Sequence, residues 1–180
     1  MVLDALQPFE RQDLTIASLV ADEGRALVVA ATKWDAVSEG AAVLRRLRER
    51  ASVSLPQLSG LAIVPVSGRT GFGLDPMMRA VRAAEEVWNR RVSTSDLNRW
   101  LASVQERHPP PLVHGRRLRL RYVTQVNTRP PSFALFASKP GELPASYRRY
   151  LVNALRQDFN LPGTPIRMML RKSKNPYDAS

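Results

Sequence analysis

Two short, uninterrupted apolar runs, residues 26–31 and 61–66, constrain the fold more than any other feature of this sequence. A strand buried on both faces needs such a run, and the pattern is typical of interior strands of a parallel sheet. Helical periodicity precedes the first run, separates the two runs and follows the second, at residues 10–23, 38–51 and 77–91. With a strand end at Val2-Leu3, the first half is predicted to be an α/β layer with a parallel sheet.

The second half follows a different order, helix–strand–strand–helix–strand, which predicts a small α+β domain. Its predicted elements are a helix at 96–107 capped by Ser93, Thr94 or Ser95, strands at 117–126 and 132–137, a helix beginning near Pro144, and a strand at 166–171. Alternation in the first strand predicts that Tyr122 is buried beside leucines, and the last helix is predicted to point Arg156 outward. We therefore predict two domains, residues 1–92 and 93–180.

Charge separates these two halves. The 180-residue chain carries 27 Lys+Arg and 16 Asp+Glu, a net charge of +11, and residues 1–92 account for +1 of it and residues 93–180 for +10. A field of this strength predicts a polyanionic partner, with phosphate backbones first. A cationic helix on a membrane surface is the weaker alternative, because many of the arginines fall on predicted strands.

Composition excludes several other classes of function. The chain has no cysteine and two histidines, which excludes a disulfide scaffold, cysteine-based metal centres and thiol catalysis, and no metal site is expected. No apolar run is long enough to span a bilayer, and the first residues lack the pattern of a signal peptide, so a cytoplasmic protein without a membrane partner is expected.

Polar loops follow both apolar runs, at Thr32-Lys33-Trp34-Asp35 and Ser67-Gly68-Arg69. They resemble the guanine-recognition half of a translation-factor-type GTPase, in which an aspartate accepts hydrogen bonds from guanine N1–H and N2–H₂, a lysine stem packs over the base, and a backbone N–H of the second loop donates to O6. The resemblance assigns guanine binding to Thr32, Lys33, Asp35, Ser67 and Gly68. Thr32 stands where that family has Asn, whose amide would tie the loops together. The alternative is that Lys33 and Asp35 are ordinary polar residues ending a strand.

The sequence lacks the motifs that bind the phosphates and the magnesium ion of a nucleotide. There is no Gly-x-x-x-x-Gly-Lys-Ser/Thr loop to hold phosphates and no Asp-x-x-Gly to reach Mg²⁺ and the γ-phosphate. We therefore predict no catalytic residue, no tight binding of GTP or GDP, and no hydrolysis by this chain alone. Hydrolysis after complementation by a missing N-terminal half remains an alternative.

The residues of the second half show a more specific resemblance. Five segments, residues 96–101, 122–125, 130–133, 161–166 and 171–177, look like the C-terminal KH-like domain of the bacterial Der/EngA GTPases. This resemblance implies a fragment that begins midway through the second GTPase domain, a GTP- and Mg²⁺-dependent parent family, and a role in assembly of the large ribosomal subunit.

Binding of ribosomal RNA is the function expected from this resemblance and from the charge. The predicted RNA-binding residues are Arg117, Arg119, Arg121, Arg148, Arg149, Arg171 and Lys172. Residues 93–180 contain no Gly-x-x-Gly loop, so backbone contact with structured RNA is expected rather than sequence readout. The alternatives are solvated basic faces, docking of these residues onto the neighbouring GTPase domain, or an adaptor that binds an acidic protein. Truncation would also leave an unpaired sheet edge, through which self-association is expected.

Overall fold

The computed structural model describes residues 1–113 and 116–172, with only the backbone at Val113, Arg116 and Arg117. The side chain of Arg117, a predicted RNA contact, and His114 therefore lie outside the described residues, as does the chain from residue 173. The described chain forms two units. The first unit comprises residues 1–89 and 161–165, and the second comprises residues 90–160 and the chain from residue 166. The predicted division lies between residues 92 and 93.

The first unit is a three-stranded parallel sheet with helices. Its elements are β1 (Val2–Asp4), α1 (Arg11–Asp22), β2 (Val28–Thr32), α2 (Gly40–Ser54), β3 (Ala62–Pro65) and α3 (Leu74–Trp88). The strand order is β1-β2-β3, with Leu3 opposite Ala31 and Val29 opposite Ile63. The apolar runs therefore do form neighbouring parallel strands. Side chains on one face of the sheet share a core with α1 and α2, which includes the fully buried Val29 and Ala17.

Residues 161–165 belong to this first unit although they lie far along the chain. The Gly163 N–H donates to the Ser59 carbonyl over 2.8 Å. A Cβ atom at Gly60 would lie 2.8 Å from Cβ of Pro162, so the two backbones are in close contact. Sequence periodicity does not reveal a segment of this kind, because its place depends on long-range contacts.

The second unit combines helices with a mixed sheet. Its elements are α4 (Thr94–Arg107), β4 (Leu112–Val113), β5 (Arg116–Arg117), β6 (Leu120–Thr128), β7 (Pro131–Ala137), α5 (Ala145–Asp158) and β8 (Arg167–Lys172). The order of the larger sheet is β6-β7-β8, with β6 antiparallel and β8 parallel to β7. Ser93 caps α4 by accepting the Asp96 N–H over 3.1 Å. The predicted fold class, a parallel α/β layer followed by a small α+β domain, is confirmed.

The prediction for Tyr122 is wrong, and a β-bulge explains why. The register of β6 against β7 shifts between Leu120 and Tyr122, which inserts a residue into the alternation. Leu120 is buried as predicted, but Tyr122 is 41% exposed and Val123 takes the fully buried position. The strict alternation read from the sequence therefore holds only up to the bulge.

Arg156 also departs from its predicted outward position. Its side chain is buried on α5, and burial lowers the pKa of its guanidinium to about 10. The predicted strand at 117–126 is also interrupted: β5 pairs antiparallel with β4, and β6 begins only at Leu120. In the described residues, no helix is long and apolar enough to cross a bilayer.

Candidate guanine and RNA sites

The two polar loops of the first unit meet at one edge of its sheet. Parallel strands end at the same edge, so the residues that follow β2 and β3 are neighbours. The Trp34 N–H donates to the Val66 carbonyl over 3.1 Å, and the Val66 N–H donates to the Ala31 carbonyl over 2.8 Å. Backbone hydrogen bonds therefore hold the loops side by side, as the proposed guanine pocket requires.

Asp35 is the centre of this site. The hydroxyl of the fully buried Ser67 donates to Asp35 Oδ1 over 2.5 Å. The Nε and Nη2 atoms of Arg69 both lie 2.8 Å from Asp35 Oδ2. The hydrogen bond from Ser67, followed by that from Arg69, lowers the pKa of Asp35 below its ordinary value. The carboxylate is thus ionised at neutral pH, as an acceptor for guanine must be.

Arg69 was not among the predicted site residues. Its guanidinium presents N–H groups to Asp35 in the way that the N1–H and N2–H₂ groups of guanine would. A base that used both oxygens of Asp35 would therefore have to displace Arg69. The sequence signal for Arg69 is its position, because it is a cation two residues after Ser67, a predicted ligand.

Thr32 and Lys33, the other two predicted guanine-binding residues of the first loop, contact β1 instead. The Thr32 hydroxyl donates to the Leu3 carbonyl over 2.9 Å, and the Lys33 ammonium lies 2.6 Å from Asp4 Oδ2. The hydrogen bond to Lys33 is the main cause that lowers the pKa of Asp4. Thr32 therefore does not tie the two loops together, and the Ser67–Asp35 hydrogen bond does so in its place.

The second loop has a fixed shape around Gly68. The Ser67 N–H donates to the Phe72 carbonyl, and the Gly71 N–H donates to the Ser67 carbonyl, each over 2.9 Å. A Cβ atom added at Gly68 would meet no atom within 4 Å, so this residue faces open space. The Ser67 side chain is thus buried and holds the loop, whereas the backbone at Gly68 is accessible.

Six of the seven predicted RNA-binding side chains are described, and all six are exposed. They fall into two groups on the second unit: Arg119, Arg121, Arg171 and Lys172 beside or within the strands, and Arg148 and Arg149 on α5. Within the described part of the chain, none of the six forms an ion pair. We call them the exposed cations, and their charge is not neutralised by the described acidic residues.

Strand direction brings the first group to one end of the sheet. The start of β6 lies opposite the end of β7, and the end of β8 lies beside it, because β8 runs parallel to β7. Arg119 and Arg121 also line an open groove of about 730 Å³, together with Gln105 and Glu106 of α4. An open groove that two arginines line suits a polyphosphate backbone better than a small enclosed ligand.

Amide side chains close the free edge of β6. Asn98 of α4 donates to the Val123 carbonyl and accepts from the Val123 N–H, each over 3.0 Å. Gln125 accepts from the Val92 N–H over 2.7 Å and donates to the Arg90 carbonyl over 2.9 Å. Asn98 therefore occupies backbone groups of Val123 that another strand would otherwise use, whereas Gln125 ties β6 to the segment before α4.

Known proteins resemble this chain in sequence. Residues 91–171 match the family described as "KH-domain-like of EngA bacterial GTPase enzymes, C-terminal". The chain is 54% identical over 179 residues to GTPase Der of Rhizobium meliloti (strain 1021), and 55% identical over 179 residues to GTPase Der of Roseobacter denitrificans (strain ATCC 33942 / OCh 114). By sequence, the chain is similar to a C-terminal part of the Der (EngA) GTPases. These matches include 99% and 98% of this chain but only 38% and 36% of the two Der relatives.

A solved structure is a more distant match to this chain. It is the crystal structure of Era in complex with MgGDPNP and nucleotides 1506–1542 of 16S ribosomal RNA. The sequence identity is 18%, the match covers 98% of this chain and 65% of the Era chain, and the TM-score is 0.40.

Proposed function

We propose that this chain binds ribosomal RNA through the exposed cations of its second unit and takes part in assembly of the large ribosomal subunit. The observation that carries the proposal is that six exposed Lys and Arg side chains are free of ion pairs in the described residues, in a half of the chain with net charge +10. Similarity to the GTPases Der and to their KH-like C-terminal domain supports the choice of RNA.

The mode of binding follows from the types of side chain. Arg and Lys neutralise phosphates and release condensed counterions, which supplies affinity without reading the sequence. No Gly-x-x-Gly loop is present in residues 93–180 to clamp nucleotides. Contacts with the backbone of structured RNA therefore supply most of the binding free energy, and the affinity depends on the salt concentration.

A second candidate function, recognition of a guanine base, is favoured by the Asp35–Ser67 geometry. The first unit presents an ionised carboxylate and an accessible Gly68 at the ends of parallel strands. GTP or GDP with Mg²⁺ would supply phosphoryl chemistry in the intact family. Asp35 and the accessible backbone at Gly68 fit the base, whereas Lys33 pairs with Asp4 and the Ser67 N–H donates to Phe72. The chain has no Gly-Lys loop for the phosphates. We propose weak base binding and no hydrolysis by this chain alone.

Paired charge changes in the full chain test the RNA proposal. Arg148→Ser with Arg149→Ser removes two of the exposed cations, while Arg46→Ser with Arg48→Ser removes two exposed arginines from α2 of the first unit. The binding constant for large-subunit ribosomal RNA is measured by filter binding at several salt concentrations. The first pair is expected to reduce the log–log salt slope by about two, one per lost phosphate contact. Equal effects of both pairs would contradict the proposed surface, and binding of acidic proteins in preference to RNA would favour the adaptor alternative.

A further inference from the structure

One row of side chains crosses the sheet of the second unit at the end where the strand cations lie. Tyr122 of β6 pairs with Phe136 of β7, which pairs in turn with Arg171 of β8. Directly paired residues point to the same face, so the three side chains share one face of the sheet. The rings of Tyr122 and Phe136 are in contact, with centroids 5.6 Å apart and planes inclined at 52°.

This row is accessible, whereas the alternate residues of the same strands are not. Tyr122 is 41% exposed, Phe136 is half-buried and Arg171 is exposed, while Val123 and Leu135 are buried. A tyrosine on the outside of a folded domain forgoes the stabilisation that burial of its large ring would give. The β-bulge before Tyr122 is what turns this ring outward.

The exposed row is short. Ala134, two residues before Phe136 in β7 and on the same face, is only 4% exposed. Neighbouring strands lie about 4.8 Å apart, so Tyr122 and Arg171 on the two outer strands are separated by roughly 10 Å. An area of this width can support one planar ring, with a cation at its side.

We propose that Tyr122, Phe136 and Arg171 form a stacking site for one unpaired nucleobase of a single-stranded RNA segment. The inference rests on the proposed function, in which RNA is the partner. Aromatic rings and guanidinium planes stack on unpaired bases of any sequence, and nearby cations hold the phosphates on either side. Charge complementarity selects this occupant: Arg171 is part of the row, Arg121 and Lys172 are its sequence neighbours at the same end of the sheet, and the second half has a net charge of +10.

The test compares two RNAs and three variants in the full chain. Fluorescence anisotropy measures binding to a labelled single-stranded ten-nucleotide RNA and to a fully paired RNA duplex with the same number of phosphates. Tyr122→Ala is expected to weaken single-strand binding about five- to a hundredfold, the usual range for loss of one stacked base, and to change duplex binding less than about twofold. Tyr122→Trp is expected to retain single-strand binding, and Val126→Ala, at a 50% exposed position of the same strand, is the matched control.

The possible results separate this proposal from the one on which it rests. If the unaltered chain binds neither RNA, both proposals fail. If it binds both RNAs in a salt-dependent way but Tyr122→Ala weakens neither, or weakens both equally, the stacking site alone is refuted. Self-association that Tyr122→Ala abolishes, with RNA binding unchanged, would assign the row to a protein contact and overturn the proposal.

Discussion

Gly73 offers the sharpest stability test of the loop that shapes the guanine site. Its φ angle is +79°, and a Cβ atom added there would lie 2.0 Å from the Pro65 carbonyl oxygen and 3.0 Å from the carbonyl carbon. The left-handed backbone costs an alanine about 1–2 kcal/mol, and the displacement of packed atoms costs about 1–3 kcal/mol more. Gly73→Ala is therefore expected to destabilise the first unit by about 2–5 kcal/mol.

Gly68 in the same loop provides the matched control. A Cβ atom there meets nothing within 4 Å, and the residue is not among the glycines with positive φ. Gly68→Ala should leave stability unchanged or raise it by about 0.4–1 kcal/mol, because alanine reduces the freedom of the unfolded chain.

Native-state hydrogen exchange of the full chain measures both variants. The free energy of opening at the Val29 amide in β2 reports on the first unit, and the Leu135 amide in β7 serves as the internal reference. Gly73→Ala should lower the opening free energy at Val29 and leave that at Leu135 unchanged. Equal exchange at Val29 in the Gly73→Ala and Gly68→Ala proteins would refute the argument from steric contact.

Three further predictions concern other parts of the chain. Arg69→Ala is expected to strengthen guanosine binding about two- to fivefold in a calorimetric titration, because it frees an oxygen of Asp35; unchanged or weaker binding would show that the two do not compete. Tyr147→Phe removes the hydrogen bond from the phenol to the His108 carbonyl and should cost about 1 kcal/mol. Burial raises the pKa of Tyr147 from 10.0 to about 12, so its contribution to stability is complete below pH 10 and lost as pH rises toward 12; this part of a pH–stability profile should be absent in the variant. Val2 on the edge strand β1 is 69% exposed, so Val2→Lys should reduce self-association in sedimentation velocity, and a monomeric unaltered chain would contradict an interface at this edge.

Much of the fold could be predicted because local patterns and long-range packing agree. The apolar runs before Thr32 and Ser67 are strands, as their shortness and the loops that bound them favour, and the loops after them meet because parallel strands end together. The positions of Asp35 and Ser67 at one site could therefore be predicted. Their direct hydrogen bond could not, because the bond depends on the angle at which each loop leaves its strand.

Elsewhere, tertiary context overrides the local pattern. Tyr122 faces outward because of a bulge, and nothing in its neighbours' polarity shows where the extra residue falls. Arg156 has the helical position of an outward residue but is buried, which lowers its pKa. Arg69 reaches Asp35 through a turn whose shape is set by Gly73 and the Pro65 carbonyl. Each case depends on backbone geometry that residue periodicity does not encode.

The most direct test of RNA binding is the salt dependence of the unaltered chain's affinity for large-subunit ribosomal RNA. If the six exposed cations all contact phosphates, the logarithm of the binding constant should fall with the logarithm of the salt concentration with a slope of about −4 to −5. A slope near zero, or no retention of the RNA at low salt, would contradict the account.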